Sequence, residues 1–200
     1  MTFKALIADF GGVLTNPLGR VVRDFCEREG VGDHGLAVLS SNRDQQDSFA
    51  ALERGDISQV QWECVMAEKL GVPAPRLLSR VLASLAPAEP MLKVVQDARE
   101  AGYVTACLTN SVGFDPFNPY APWELEKRFD VVVASGIERV RKPDVEIYRR
   151  TLERLGVTGP DCVFVDDTER NLVPARELGM TTVLLNSADQ AAEEIAALLV

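Results

Sequence analysis

Five short apolar runs, separated by helical patterns, constrain the fold of this chain more than any other feature. Each run is hydrophobic throughout, which is typical of strands buried on both faces of a parallel sheet. Glycine, a common helix end, directly follows the helical patterns Pro90–Ala101, Pro143–Leu155 and Thr168–Leu178. The alternation predicts a doubly wound, Rossmann-like α/β fold. The predicted strands are Phe3–Ala8, Tyr103–Leu108, Val131–Ala134, Cys162–Val165 and Thr181–Leu185.

The segment between the first two predicted strands is too long for a single crossover. Asp9 and Thr109 are 100 positions apart, whereas a βαβ unit needs about 30 residues. The surplus has four amphipathic helical patterns and predicts an α-helical subdomain at 16–88, inserted into a core formed by 1–15 and 89–200. The four patterns are Pro17–Gly30, Leu36–Gly55, Ser58–Gly71 and Pro75–Leu85.

Composition and charge narrow the possible partners. The chain has 200 residues, of which 46% are hydrophobic, and a formal net charge of −9. An acidic protein of this kind is not expected to bind nucleic acid. We expect no membrane partner either, because there is no basic leader followed by a long apolar stretch and no run of membrane-spanning length. The four cysteines lack CxxC spacing and predict reduced, mostly buried thiols in a cytoplasmic protein. Monomer and homodimer both remain open.

Polar residues follow four of the predicted strands where each strand ends. They are Asp9, Thr109-Asn110, Arg141-Lys142 and Asp166-Asp167. Because the carboxyl ends of parallel strands meet at one edge of a sheet, we expect these side chains to lie close together.

These residue types suit phosphoryl transfer. Asp9 can attack phosphorus and form an acyl phosphate, while Asp166 and Asp167 are hard oxygen ligands suited to Mg²⁺. Lys142 offers positive charge to the phosphoryl group. The Thr109 hydroxyl and the Asn110 backbone N–H can bind the non-bridging oxygens.

Four motifs occur in order: Asp9-Phe10-Gly11-Gly12-Val13, Leu108-Thr109-Asn110, Lys142-Pro143 and Val165-Asp166-Asp167-Thr168-Glu169-Arg170-Asn171. Together they resemble the haloacid dehalogenase (HAD) superfamily of hydrolases with a helical cap. The last motif, continued to Met180, is similar to the phosphatase domain of soluble epoxide hydrolases. The resemblance implies a HAD-like core, a cap and a Mg²⁺-dependent phosphatase that acts on a small phosphorylated metabolite through an aspartyl-phosphate.

The resemblance also implies a role for each matched residue. Asp9 becomes the nucleophile, Thr109 the phosphate-binding hydroxyl and Lys142 the charge-stabilising lysine. The metal ligands become Asp9, the backbone carbonyl of Gly11, Asp166 and Asp167, with Asp167 binding directly and Asp166 directly or through water.

Gly11 departs from the family pattern, which places a second Asp at this position. That Asp binds Mg²⁺ through its carbonyl, and its side chain protonates the leaving group and then activates water. Glycine keeps the carbonyl and lacks the acid. Because loss of a general acid costs about 10²–10⁴-fold, we expect activity skewed towards good leaving groups, such as those of sugar 1-phosphates and acyl phosphates.

Two other functions fit part of the pattern. A 2-haloacid dehalogenase also lacks the second Asp, since halide needs no proton, but it would not need the Asp166-Asp167 pair. A catalytically impaired phosphate-ester binding protein would keep the pocket without turnover, and intact Asp9 and Lys142 argue against it. Asp166-Asp167 would also suit the start of a helix, where carboxylates cap N–H groups.

The remaining candidates are interpreted as structural. His34 is the single histidine, and we predict that it lies in solvent in a loop of the helical subdomain, although no other histidine could supply the missing acid. Arg20 and Arg43 are predicted to be solvated helix positions. Phe49 and Trp62 are predicted to pack inside the helical subdomain.

Overall fold

A computed structural model describes residues 3–40 and 48–199. Its five strands form one sheet in which all neighbours are parallel, in the spatial order β3-β2-β1-β4-β5. The connections run one way from β1 to β3 and the other way from β4 to β5, so the doubly wound prediction is confirmed. The strands are β1 (Ala5–Ala8), β2 (Val104–Thr109), β3 (Val131–Ala134), β4 (Cys162–Asp166) and β5 (Thr181–Leu184).

Helices cover both faces of this sheet and also form a separate group between β1 and β2. The helices in chain order are α1 (Leu18–Glu29), α2 (Gly32–Ser40), α3 (Ser48–Glu53), α4 (Gln59–Leu70), α5 (Leu77–Val81), α6 (Glu89–Glu100), α7 (Leu125–Arg128), α8 (Ser135–Glu138), α9 (Val145–Leu155), α10 (Glu169–Glu177) and α11 (Ala188–Leu198).

Burial on both faces explains why the strands are hydrophobic throughout. Along β1, Leu6 and Ala8 belong to one cluster, which α6 and α11 cover with Val94 and Ile195 among others. Ala5 and Ile7 point the other way, into the cluster covered by α9 and α10. Every residue of β1 is fully buried, because both faces of this central strand meet helices.

Element boundaries differ from the predictions at three places. The helix predicted from Pro143 begins at Val145, because the Asp144 side chain accepts the Glu146 N–H at 2.9 Å and caps the first turn. In the region of the pattern Leu36–Gly55, α2 begins earlier, at Gly32, and α3 covers Ser48–Glu53, while residues 41–47 lie outside the described part of the chain. The last helix of the predicted subdomain, α5, is shorter than its pattern.

Helices α1–α5, which we call the cap helices, have a hydrophobic cluster of their own. Its fully buried members include Phe25, Trp62 and Leu77. The two connections to the core contact each other: the Asn16 N–H donates to the Ala86 carbonyl at 2.8 Å, next to a bridge between Thr15 and Pro87. These contacts suit an inserted subdomain, and its division from the core at 16–88 stays a prediction.

The residues interpreted as structural have mixed outcomes. His34 lies within α2 rather than in a loop, so that prediction was wrong, although its side chain is exposed, with Nε2 2.8 Å from the Lys69 carbonyl oxygen. Trp62 is buried against Phe49, as predicted. Arg20 is exposed on α1, and Arg43 lies outside the described residues. Within the described residues, no helix has the length and apolar character needed to span a membrane.

Candidate functional site

The end of β1 places Asp9 beside a turn that needs glycine. The Asp9 N–H donates to the Val165 carbonyl on β4 at 3.0 Å, so the two strands remain paired up to the site. Gly12 has a φ of +80°, and a Cβ at this position would lie 2.3 Å from Asp167 Oδ2. Only glycine therefore lets the Asp167 carboxylate pack against the turn that follows Asp9.

Lys142 is the electrostatic centre of the site. Its side chain is fully buried, and Nζ lies 2.8 Å from Asp9 Oδ1 and 2.6 Å from Asp166 Oδ2. A lysine removed from water needs such partners, because an unpaired buried charge is strongly destabilising. Asp9 directly follows β1 and Asp166 ends the neighbouring strand β4, and Lys142 reaches them from the loop that follows β3 and α8.

Asp166 is occupied by protein donors. Besides Lys142, its carboxylate accepts the Thr168 N–H at 2.9 Å and the Asn171 side-chain amide at 3.0 and 3.1 Å. A carboxylate has about four lone-pair sites, so these contacts use most of its capacity. The geometry favours Asp166 as the residue that orients Lys142 and Asn171.

The donor set fits a small hard cation. Asp9, Asp166 and Asp167 each offer one oxygen, and these oxygens lie within 4.8 Å of one another. Asn171 Oδ1 is buried and has no hydrogen-bond partner among the described residues. Such an acceptor beside three carboxylates suits a water molecule held by Mg²⁺, an ion that keeps several waters. Asn171 is the last residue of the fourth sequence motif, but the sequence alone assigned it no role.

On the other side of Asp9, β2 supplies the residues expected to bind phosphate. Thr109 ends this strand and is 3% exposed. The Asn110 side chain accepts the Lys142 backbone N–H at 2.8 Å and donates to the Lys142 carbonyl at 3.1 Å. This amide therefore ties the Lys142 loop to the end of β2. The prediction for Asn110 concerned its backbone only, and no sequence signal links it to Lys142.

Burial controls protonation in this cluster. Burial raises the pKa of Asp9 to about 8, although Lys142 lowers it, and Asp166 raises it further. For Lys142, burial alone would lower the pKa, yet the carboxylates of Asp166 and Asp9 raise it above its ordinary value. The Lys142 side chain is therefore expected to stay protonated at neutral pH. A cation bound beside Asp9 would favour its ionised form.

The site opens into a cavity of about 210 Å³ that the cap helices help to enclose. Its polar end includes Asp9, Gly11, Thr109, Lys142 and Asp167. The cap side chains in its wall are largely aliphatic or aromatic: Leu18, Val21, Val22, Leu39, Phe49, Leu78, Val81, Leu82 and Leu85.

Comparison with known proteins identifies the family. The model of the haloacid dehalogenase-like hydrolases matches residues 3–179. This chain belongs to that family. The HAD-like hydrolase is 28% identical to bifunctional epoxide hydrolase 2 of Sus scrofa over 98% of the chain and 38% of that relative. It is 27% identical to the sesquiterpene phosphatase astK of Aspergillus oryzae over 94% of the chain and 92% of that relative.

The family includes larger proteins and several solved structures. Acyl-CoA dehydrogenase family member 10 of Mus musculus is 27% identical over 99% of this chain, which spans 19% of that relative. The chain thus covers about a fifth and about two fifths of the first two curated relatives. A Bacteroides thetaiotaomicron family enzyme, solved with magnesium and inorganic phosphate, superposes with a TM-score of 0.69, 25% identity and coverage of 91% and 93% of the two chains.

In this HAD-like hydrolase, the predicted site residues lie together at the carboxyl edge of the sheet. One cavity is lined by six of them: Asp9, Gly11, Thr109, Asn110, Lys142 and Asp167. Asp166 contacts Lys142 Nζ but is not part of the cavity lining. Their catalytic and metal-binding roles stay predictions. His34 is not among the residues that line this cavity. Sequence reasoning missed Glu53 and placed Arg141 at the sheet edge without a role; the two residues line the same cavity as an ion pair.

Proposed function

We propose that this hydrolase is a Mg²⁺-dependent phosphatase that acts through an aspartyl-phosphate on Asp9. The observation that carries the proposal is the position of Asp9, between the buried ammonium group of Lys142 and the carboxylates of Asp166 and Asp167. A carboxylate in this setting can approach an anionic phosphate ester only with cationic help. Lys142 supplies one positive charge, and the oxygen ligands suit an ion that would supply the rest.

The chain's own atoms suggest how the reaction would run. Asp9 Oδ1 accepts the Phe10 N–H at 2.7 Å and lies 2.8 Å from Lys142 Nζ, which leaves Oδ2 as the attacking atom. Attack forms an Oδ2–P bond and breaks the bond between phosphorus and the alcohol oxygen. Water then hydrolyses the acyl phosphate, releasing inorganic phosphate and restoring the carboxylate.

Positioning falls to the other residues of the site. Lys142 stabilises charge on the phosphoryl oxygens, and the Thr109 hydroxyl binds one of them. When bound, Mg²⁺ would neutralise charge on the phosphoryl group, held by Asp9, the Gly11 carbonyl and Asp167, with Asp166 and Asn171 supporting its waters.

The leaving group would depart without an acid at position 11. A Cβ on Gly11 would lie 2.9 Å from Leu18 Cδ1, so a cap side chain would have to shift to admit an Asp. An alcohol that is itself a good leaving group depends least on a general acid. We therefore propose a substrate with an acidic alcohol or phenol.

The cavity wall suggests that this alcohol is apolar. A sugar or nucleotide would bury hydroxyl groups against aliphatic side chains, and each unpaired polar group costs about 1–3 kcal/mol. The name of the Aspergillus oryzae relative, a sesquiterpene phosphatase, agrees with an apolar substrate. We propose a phosphate monoester of an apolar phenol or of a similarly acidic apolar alcohol, within the wider class of small phosphorylated metabolites.

A phosphate-release assay with matched esters tests the proposal. We expect Mg²⁺-dependent release, faster from an aryl phosphate than from a sugar 1-phosphate or a long-chain alkyl phosphate, because only the first combines an acidic and an apolar leaving group. Asp9→Asn should abolish release, and Asp97→Asn, an exposed change on α6, should leave it intact.

Three outcomes would contradict the proposal. Unchanged release after Asp9→Asn would reject the nucleophile. Halide release from a 2-chloro acid without Mg²⁺ would favour a dehalogenase. Phosphate-ester binding without any turnover would favour a non-catalytic binding protein.

A further inference from the structure

Glu53 and Arg141 form a buried ion pair between the cap helices and the core. Arg141 Nε lies 2.7 Å from Glu53 Oε2, and both residues are 8% exposed. Glu53 is the last residue of α3, and Arg141 directly precedes Lys142. The two atoms face each other at ion-pair distance without the alignment of a hydrogen bond, so their attraction depends on charge more than on direction.

The chain on either side of Glu53 makes further contacts with the core. Ser135 Oγ donates to the Glu53 carbonyl, and the Arg139 guanidinium donates to the Gly55 carbonyl. The buried Gln59 side chain donates to the Val112 and Phe117 carbonyls at 3.1 and 2.7 Å. Residues 53–59 therefore contact the two core loops that follow β2 and β3, and these loops carry Asn110 and Lys142.

Cap side chains narrow the approach to the reacting groups when these contacts are made. Asp9 and Thr109 are only 8% and 3% exposed, and Phe49 and Leu78 line the same cavity, so separation of the cap helices from the core would widen the path of a phosphate ester to Asp9. The connections at 14–16 and 86–88 hydrogen-bond to each other. They can therefore stay joined as a hinge while residues 53–59 separate from the core.

We infer that the Glu53–Arg141 pair is a latch that closes the cap helices over the site and holds Arg141, and with it Lys142, in place. The inference rests on the proposed function for its catalytic consequence. Opening hydrates both charges and closing buries both, and a buried ion pair is close to energetic balance between these environments. The latch therefore permits opening, whereas an apolar seal of the same size would favour the closed state.

Removal of one charge should act on closure selectively. In Glu53→Gln, Arg141 is buried without a carboxylate only when the cap is closed, while in the open state water solvates it. The variant should therefore shift the equilibrium towards the open state. Removal of both charges, in Glu53→Gln/Arg141→Gln, should recover part of the loss, because no unpaired charge is then buried.

Hydrogen–deuterium exchange of the full chain tests the latch without a substrate. For Glu53→Gln we expect exchange about 10- to 100-fold faster at 53–59 and 135–142, with exchange in β1 and β4 unchanged. The matched control is Glu29→Gln, which breaks an ion pair with Arg80 inside the cap helices and should leave 53–59 and 135–142 unchanged. Unchanged exchange in Glu53→Gln, or equal acceleration throughout the sheet, would overturn the inference.

An aryl phosphate assay adds the catalytic readout. Glu53→Gln should lower kcat/KM about 10-fold or more, the double variant should lower it less, and Glu29→Gln should match the unaltered chain. An equal loss in Glu29→Gln would overturn the catalytic part of the inference. If the unaltered chain released no phosphate while the exchange pattern held, the proposed function would fail and the latch would stand.

Discussion

At the residue scale, position 11 decides whether the proposed site has a side chain that can protonate the leaving group. The structure adds a neighbour that the sequence did not suggest, because Leu18 from the first turn of α1 occupies the space beyond the Gly11 Cα. The two residues are seven positions apart and lie in different parts of the fold. An acid at position 11 thus requires the Leu18 side chain to shift or to be shortened.

Restoring the acid should work best when Leu18 is also shortened. We expect Gly11→Asp alone to gain less on alkyl phosphates than the double variant, because its Cβ would lie 2.9 Å from Leu18 Cδ1 and that side chain must first shift. Gly11→Asp/Leu18→Ala should gain about 10²-fold or more on the same poor leaving groups, with little change on aryl phosphates. Steady-state kinetics on the two ester classes measures this, with Leu18→Ala alone as control. An equal gain on both classes would contradict general-acid action.

At the element scale, the starts of β1 and β4 are held by one carboxylate. Asp161, directly before β4, accepts the Thr158 N–H and hydroxyl at 3.0 and 2.6 Å, and Lys4 Nζ lies 2.9 Å from it. The Lys4 N–H also donates to the Asp161 carbonyl. These contacts align the two neighbouring strands that deliver Asp9 and Asp166 to the site.

The Asp161 contacts should make stability depend on pH in acid. Hydrogen bonds from the Thr158 hydroxyl and N–H, with Lys4, lower the pKa of Asp161 from 3.8 to about 2. A carboxylate whose pKa is lower in the folded than in the unfolded state stabilises the folded protein at pH values above its unfolded-state pKa. This stabilisation is lost as the pH falls towards the folded-state pKa. In urea unfolding, the difference between the unaltered chain and Asp161→Asn should therefore be full at pH 6 and smaller at pH 3. A constant difference would contradict the assignment.

At the scale of the whole molecule, the proposed metal site can form only in the folded chain. Its expected ligands lie at 9–11 and 166–167, near opposite ends of the sequence. They meet because β1 and β4 are neighbours in the sheet. An ion that binds them should therefore stabilise the native state and not the unfolded chain.

Mg²⁺ should raise the melting temperature of the protein. At 100 times Kd the stabilisation is about 2.7 kcal/mol, which for a chain of this size corresponds to a rise of about 5–10 °C. Calorimetry with MgCl₂ against KCl of equal ionic strength measures it. Asp167→Asn should abolish the rise and Asp97→Asn should keep it. The same rise in Asp167→Asn would place the ion elsewhere.

Local pattern was enough to predict the sheet and the strand ends. A strand buried on both faces is hydrophobic throughout, whichever helices cover it. This pattern can be recognised in the sequence, and all five predicted strands overlap observed ones. Strand direction then placed Asp9, Lys142 and Asp167 on one edge. Helix starts were less predictable, since the start at Val145 depends on one hydrogen bond from Asp144.

Tertiary structure alone decided the finer chemistry of the site. The contact of Asp166 with Lys142, the amide contacts between Asn110 and Lys142, and the pairing of Glu53 with Arg141 all join residues distant in sequence. No periodicity or spacing encodes such contacts, because they depend on how the cap helices and loops pack around the sheet. The sequence by itself determined which chemical groups gather at the sheet edge. Packing determined which of these groups hydrogen-bond to or pair with one another and which side chains enclose them.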